Sequence, residues 1–143
     1  MYDETACPVD FITEYSNSNL VKGDVDVEEW WRIRDGKLEL TWYSPIIWTK
    51  KIRLSNIHAI FYMHQKYKPC MKIKGWGMTF SPVWWTCDIA RQFRVKTHYN
   101  VMIQENEHDI IYKGFTVKNI DFFFEVVKPY LSDSTTIYNA FPF

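Results

Sequence analysis

Apolar and polar residues alternate along residues 29–43, and this period of two predicts a β-hairpin. Asp35-Gly36 lies at its centre and supplies a two-residue turn in which both residues can adopt a positive φ. With this turn, Arg32 faces Glu39 on the polar side of the hairpin, as an opposite-charge pair across the strands. The apolar side carries Trp31, Ile33, Leu38 and Leu40.

Further strands are predicted after the break at Ser44-Pro45. They are expected over residues 46–54, 57–65, 93–103 and 108–117. Residues 57–65 are partly apolar at both alternating positions, which is typical of a strand covered on both faces. Residues 66–90 follow no regular period and contain two prolines and two glycines, so they are expected to form loops and short strands.

Near the carboxyl terminus the pattern changes to that of an amphipathic helix. Asn119 is the predicted N-cap, and Asp121 follows in the first turn, where a negative charge suits the helix dipole. Pro129 is expected to end or kink the helix. The apolar stripe consists of Ile120, Phe123, Phe124, Val127 and Leu131.

A chain of 143 residues is long enough for one domain with its own core. The predicted fold is mainly β with one C-terminal α-helix, either an antiparallel sandwich of two sheets or a small barrel, capped by the helix. Residues 1–20 are predicted to be a polar N-terminal arm, residues 21–131 the domain, and residues 132–143 a C-terminal tail that is too weakly charged to be a plain solvated tail.

Three short stretches resemble bacterial pleckstrin-homology (PH)-type domains. Residues 37–41 resemble their early strand, residues 51–57 their isoleucine-proline-leucine-serine-acid-isoleucine stretch, and residues 115–123 the entry to their final helix. Arg53 stands where proline is usual, and residues 66–90 look like an insertion. The resemblance implies a PH-like fold and a binding module rather than an enzyme. Some members of the family bind phosphoinositides through basic loops, and many bind proteins.

Charge is unevenly distributed along a chain whose formal net charge is zero. Residues 50–98 carry ten lysine and arginine side chains and one acid, Asp88, whereas the flanking segments are acidic. Such a block either is neutralised by the acidic flanks or forms a basic surface for an anionic partner. The block also contains aromatic residues, in a chain with 18% aromatic residues and seven tryptophans.

Aromatic side chains among positive charges predict a binding surface in this central region. The candidate binding residues are Lys66, Lys68, Lys72, Lys74, Trp76, Phe80, Arg91, Arg94 and Lys96. The expected partner is a protein or a second copy of the chain, and an anionic lipid head group is a further candidate. The alternative is a small, OB-like protein that binds single-stranded nucleic acid through Arg94, Lys96, Trp84 and Trp85, with a Pro-Phe C-terminal tail.

Catalytic and metal-binding motifs are absent from the sequence, which contains no nucleophile elbow, phosphate loop or His-Glu-x-x-His pattern. We therefore expect no enzymatic activity, no cofactor and no metal. The acidic N-terminus lacks the apolar stretch of a signal peptide, and no apolar run approaches the length of a membrane span. Three cysteines form an odd count without framework spacing, which favours a reducing, cytoplasmic location.

Overall fold

The first sheet is an antiparallel sheet of three strands in sequence order. The computed structural model describes residues 28–67, 73–78, 81–91 and 98–143, and the predicted N-terminal arm and the start of the predicted domain lie outside them. The strands are β1 (Trp31–Arg34), β2 (Lys37–Thr41) and β3 (Thr49–Arg53). Their alternation leaves the apolar residues of β1 and β2 buried on one face, as period-two patterning requires.

The predicted hairpin is confirmed in its register. Arg32 lies opposite Glu39, and the Arg32 Nε to Glu39 Oε1 distance is 2.6 Å. The turn residues Asp35 and Gly36 have φ values of 52° and 69°, as a two-residue turn of this type requires. The sequence therefore specified both the turn and the pairing that it imposes.

The second sheet has six strands in the order β5-β6-β8-β7-β4-β9. They are β4 (Ala59–His64), β5 (Gly77–Met78), β6 (Val83–Trp85), β7 (Tyr99–Gln104), β8 (Tyr112–Val117) and β9 (Thr136–Tyr138). Two pairings, β6 with β8 and β4 with β9, are parallel, in contrast to the all-antiparallel arrangement expected. The sheets do not close into a barrel, so of the two predicted architectures the sandwich is the nearer one.

The helix α1 (Ile120–Val127) begins and ends where the sequence predicts. The backbone N–H of Phe122 donates to Asn119 Oδ1 at 3.0 Å, which is the predicted N-cap. A single 3₁₀ turn (Lys128–Tyr130) follows at Pro129. The prediction of a mainly β fold with one C-terminal helix is confirmed. No helix in the described residues is long and apolar enough to cross a membrane.

One core is shared by the inner faces of both sheets and by α1. Its largest fully buried side chains include Trp31, Ile33, Leu38, Ile60, Phe115 and Phe123. The other face of the six-stranded sheet carries a second, smaller cluster made of Ala59, Phe61, Ile73, Val83, Trp85 and Met102. Both faces of the sheet are therefore covered, as the apolar pattern of residues 57–65 predicted.

The C-terminal tail continues the six-stranded sheet. Its strand β9 pairs with β4, and Tyr138 stacks on Phe61 with ring centroids 5.0 Å apart. Thr135 Oγ1 donates to the carbonyl of Ile57 at 2.7 Å, and Phe141 packs against the second cluster. The tail therefore adds an edge strand to this sheet, and Tyr138 and Phe141 pack on the face that carries the second cluster.

Candidate interaction site

The predicted binding residues are distributed between the surface and the interior. Lys66 and Lys74 are exposed, and the Lys74 ammonium donates to the carbonyl of Met78 at 3.0 Å. Trp76 is half-buried. Lys68, Lys72, Phe80, Arg94 and Lys96 lie outside the described residues.

Arg91 is not part of an exposed basic surface, which corrects its assignment as a binding residue. Its relative exposure is 0%, and its Nε donates to Thr116 Oγ1 at 3.1 Å. Its Nη1 donates to the carbonyls of Lys74 at 2.7 Å and Thr86 at 2.9 Å. The guanidinium lies 4.8 Å from the centroid of the Trp85 ring. Because its donors are used inside the protein, Arg91 ties residues 74 and 86 to Thr116 of β8.

Asp88, the one acid of the basic block, is buried in the same polar network. The Thr116 hydroxyl accepts from Arg91 and donates to Asp88 Oδ2 at 2.7 Å. Gln65 Nε2 donates to the carbonyl of Arg91 at 2.6 Å, and Asn100 donates to Gln65. A buried carboxylate and a buried guanidinium thus share one threonine, so part of the block's charge is balanced internally.

Trp85 cannot serve as a stacking platform for a nucleic-acid base. It is fully buried over Gly114, where an added Cβ would lie 2.4 Å from the ring. Trp84 is half-buried, and its Nε1 donates to the carbonyl of Tyr43 at 2.7 Å. Base-binding aromatics need an open ring face, which Trp85 lacks. The alternative assignment of Trp85 as a nucleic-acid contact is therefore corrected as well.

Four exposed large apolar side chains cluster in the loop between β2 and β3, residues 42–48, hereafter the apolar loop. It contains no charged residue. Its exposed side chains are Trp42, Ile46, Ile47 and Trp48. Ile46, at the tip, is 91% exposed. Four exposed large apolar side chains in one short loop are unusual at a protein surface. Residues 46–48 were expected to belong to a strand, but β3 begins only at Thr49.

Internal hydrogen bonds give the apolar loop a defined shape. The backbone N–H groups of Tyr43 and Ser44 donate to the carbonyls of Trp48 at 3.0 Å and Ile47 at 2.8 Å. The backbone N–H of Ile47 also donates to Ser44 Oγ at 2.8 Å. The rings of Trp42 and Trp48 meet edge to face, 5.2 Å between centroids. These contacts close the loop into a narrow turn with its aliphatic residues at the tip.

The second sheet holds the base of the apolar loop. The carbonyl of Tyr43 accepts from two indoles, Trp76 Nε1 at 3.0 Å and Trp84 Nε1 at 2.7 Å. The backbone N–H of Cys87 donates to the carbonyl of Trp42 at 2.8 Å. Trp42 has a φ of 55°, which is strained for a bulky residue and persists only where surrounding contacts impose it. Trp76 and Trp84, singled out as binding residues, thus support the loop from behind.

Charged groups beside the apolar loop are paired. Glu105 Oε2 lies 2.7 Å from Lys113 Nζ and 3.8 Å from Lys50 Nζ. Burial alone would lower the pKa of Lys113, but hydrogen bonds to Glu105 and Asp109 raise it. Burial, together with the charge of Glu105, raises the pKa of Tyr43 to about 12. The loop therefore lies in surroundings where positive and negative charges balance.

The described residues give little support for metal binding or for a reactive thiol. They hold no group of three or more His, Cys, Asp or Glu side chains that could bind a metal ion. Burial raises the pKa of the Cys87 thiol, which keeps it protonated and weakly nucleophilic. Comparison with protein-family models, with curated proteins and with solved structures gives no match to this chain.

Proposed function

We propose that this protein is a non-enzymatic interaction module that binds a partner protein through the apolar loop. The observation that carries the proposal is the exposure of four large apolar side chains on a loop fixed by its own hydrogen bonds and by hydrogen bonds from Trp76, Trp84 and Cys87. Hot spots in protein interfaces are enriched in tryptophan, and a preformed loop loses little conformational entropy on binding. The partner would present an apolar pocket that receives Ile46, Ile47 and the two tryptophan rings.

The charges around the loop favour a protein over a nucleic acid or an anionic membrane. Nucleic acids and anionic membranes bind surfaces with an excess of unpaired cations. Here Lys50 and Lys113 are paired with Glu105. The exposed Lys74 of the predicted central surface remains a candidate for the polar rim of the interface. The resemblance to PH-type domains agrees with a binding role, and the odd cysteine count agrees with a cytoplasmic location.

The test is selection of a random peptide library displayed on phage against the full-length chain. Selected peptides should be rich in aromatic and aliphatic residues, because these fill a contact with the apolar loop. Ile46→Asp should weaken the binding of the selected peptides by about tenfold or more, since a carboxylate would be buried in an apolar contact. Titration calorimetry with the synthetic peptides measures the change.

The matched control is Tyr67→Asp, which changes an aromatic side chain that is 63% exposed at the far end of β4. It should leave binding of the same peptides unchanged. Peptides that bind Ile46→Asp as tightly as the parent chain would contradict the proposal. Both variants change exposed positions and keep the fold, which circular dichroism verifies.

A further inference from the structure

Trp42 and Trp48 form an aromatic corner at the base of the apolar loop. Thr41 of β2 pairs with Thr49 of β3, so the two tryptophans are the next residues on each side of the turn. Their rings stand at 83° to one another, with centroids 5.2 Å apart. Both residues are about half exposed, Trp42 at 50% and Trp48 at 56%. Two flat rings at this angle enclose a concave apolar space, which we call the tryptophan corner.

Backbone carbonyl groups of the apolar loop already accept hydrogen bonds within the protein. The carbonyl of Trp42 accepts from the backbone N–H of Cys87, and that of Tyr43 accepts from two indole N–H groups. The carbonyls of Ile47 and Trp48 accept from backbone N–H groups inside the loop. A partner strand needs free backbone groups for pairing, so this loop is poorly suited to strand addition.

The tryptophan corner itself offers hydrogen-bond donors. An indole N–H donates, and the indole nitrogen does not accept. Within the part of the chain that the structure describes, no acceptor lies at hydrogen-bond distance from Nε1 of Trp42 or of Trp48. The apolar loop also contains no charged residue. A matching ligand is therefore apolar and uncharged, and it supplies carbonyl acceptors.

A proline-rich segment has this chemistry. Proline has no backbone N–H and keeps its carbonyl, so a run of prolines presents acceptors and apolar rings only. In the polyproline II conformation these carbonyls have no partner within the segment. The conformation is also preformed, so the segment loses little conformational entropy on binding. The ion pair of Glu105 with Lys113 beside the loop leaves no excess charge that would favour a charged ligand instead.

We propose that the tryptophan corner binds a proline-rich segment of the partner protein in the polyproline II conformation. This inference rests on the proposed function and specifies which part of the partner meets the apolar loop. A proline ring would occupy the corner against both indoles, and carbonyls of the segment would accept from Nε1 of Trp42 and of Trp48. Ile46 and Ile47 would contact apolar side chains that flank the prolines. Aromatic side chains commonly line sites that recognise such segments.

The experiment measures the fluorescence anisotropy of two labelled peptides titrated with the full-length chain. One peptide consists of about ten L-prolines, and the other alternates L-proline with D-proline over the same length. Their compositions are equal, but only the first forms a polyproline II helix, because D-proline fixes a φ of opposite sign. The L-proline peptide should bind about tenfold more tightly than the alternating peptide. Raising sodium chloride from about 50 mM to about 200 mM should change its affinity little, because the contact involves no charged group.

Two variants of Trp48 separate the hydrogen bond from the ring contact. Trp48→Phe keeps an aromatic ring without the indole N–H and should weaken binding of the L-proline peptide about fivefold. Trp48→Ala removes the ring as well and should weaken it about twentyfold or more. The matched control Tyr67→Ala removes an exposed aromatic side chain at the far end of β4 and should leave binding unchanged. All three variants change exposed positions and keep the fold, which circular dichroism verifies.

Three results would overturn the inference: equal affinity for the two proline peptides, equal affinity of the parent chain and Trp48→Ala for the L-proline peptide, or equal losses in Trp48→Ala and Tyr67→Ala. The peptides selected by phage display keep this failure distinct from failure of the proposed function. If those peptides still lose binding in Ile46→Asp, the apolar loop remains the interaction site and its partner segment is not proline-rich. If they do not, the proposed function fails as well.

Discussion

Glu28 accepts a hydrogen bond from the backbone N–H of Lys118 at 2.7 Å, which ties the segment before β1 to the residues that precede α1. Its other oxygen accepts from the backbone N–H of Asn119 at 3.2 Å. The carboxyl group is buried, and burial outweighs these hydrogen bonds, raising its pKa from 4.5 to about 7. The contact joins residues 90 positions apart and makes the stability of the fold sensitive to pH.

We predict that Glu28 destabilises the fold as the pH rises from 4.5 to about 7. A group whose pKa is raised by folding contributes stability below its unfolded pKa and loses it as the pH passes its folded pKa. The loss is about 3 kcal/mol over this range. Urea unfolding of the parent chain and of Glu28→Gln at several pH values measures it, because the variant removes this titration.

The difference in unfolding free energy between the parent and Glu28→Gln should fall with rising pH and become constant above pH ~8. All other titratable groups are common to both proteins, so they cancel in the difference. A difference that stays constant or grows with pH would contradict the burial of an ionisable carboxyl group at this position.

We predict that Lys37→Glu raises the free energy of unfolding by about 0.5 kcal/mol. The new carboxylate would lie between Arg34 and Arg53, replacing two repulsive pairs by two attractive ones. Chemical denaturation at low salt measures the change, and added salt should reduce it. The control Lys66→Glu, outside the sheet, should change the free energy of unfolding by less. A loss of stability in Lys37→Glu would contradict the repulsion of Lys37 by Arg34 and Arg53.

We predict that Gly114→Ala destabilises the protein by about 3 kcal/mol, because the new methyl group would overlap the Trp85 ring. Neither side can move easily, since Gly114 is within β8 and Trp85 is fully buried. Thermal denaturation measures the change. In a Trp85→Leu background the same substitution should cost less, because the ring is gone. Equal costs in the two backgrounds would show that the clash is not the cause.

We predict that Arg91→Met destabilises the protein by about 3–5 kcal/mol. The substitution keeps an unbranched side chain but leaves the carbonyls of Lys74 and Thr86 and the hydroxyl of Thr116 without their donor. Arg91→Lys should recover only part of the loss, since one ammonium cannot replace the guanidinium fork. The control Lys66→Met removes an exposed charge and should change the free energy of unfolding very little. Urea unfolding measures all three variants.

Local patterns predicted the elements whose structure depends on neighbours in the sequence. Asp35-Gly36 determined the first hairpin, and Asn119 and Pro129 marked the limits of α1. The parallel pairing of β6 with β8 and of β4 with β9 could not be predicted, because it depends on how distant segments fold back on the sheet. The periodicity of apolar residues within a strand carries no information about such long-range connections.

The candidate site was predicted less well than the fold. Charge and aromatic content directed attention to residues 66–96, yet Arg91 and Trp85 are buried there. The apolar loop was overlooked because an apolar stretch such as residues 46–48 looks the same whether it is buried in a strand or exposed at a turn. The sequence feature that indicates this loop is the stretch Trp-Tyr-Ser-Pro-Ile-Ile-Trp, which has no charged residue and contains a Ser-Pro turn.

The sequence by itself determined the fold class, the first hairpin and the capped helix, since short-range spacing and turn chemistry dictate them. Only the tertiary structure decided which aromatic and basic residues reach the surface. Exposure is set by the other segments that pack over a residue, and these lie far away in the sequence. Trp85 and Arg91 are buried where distant segments pack together, whereas Trp76 and Trp84 only support the apolar loop from behind, so Ile46 and Ile47 remain exposed.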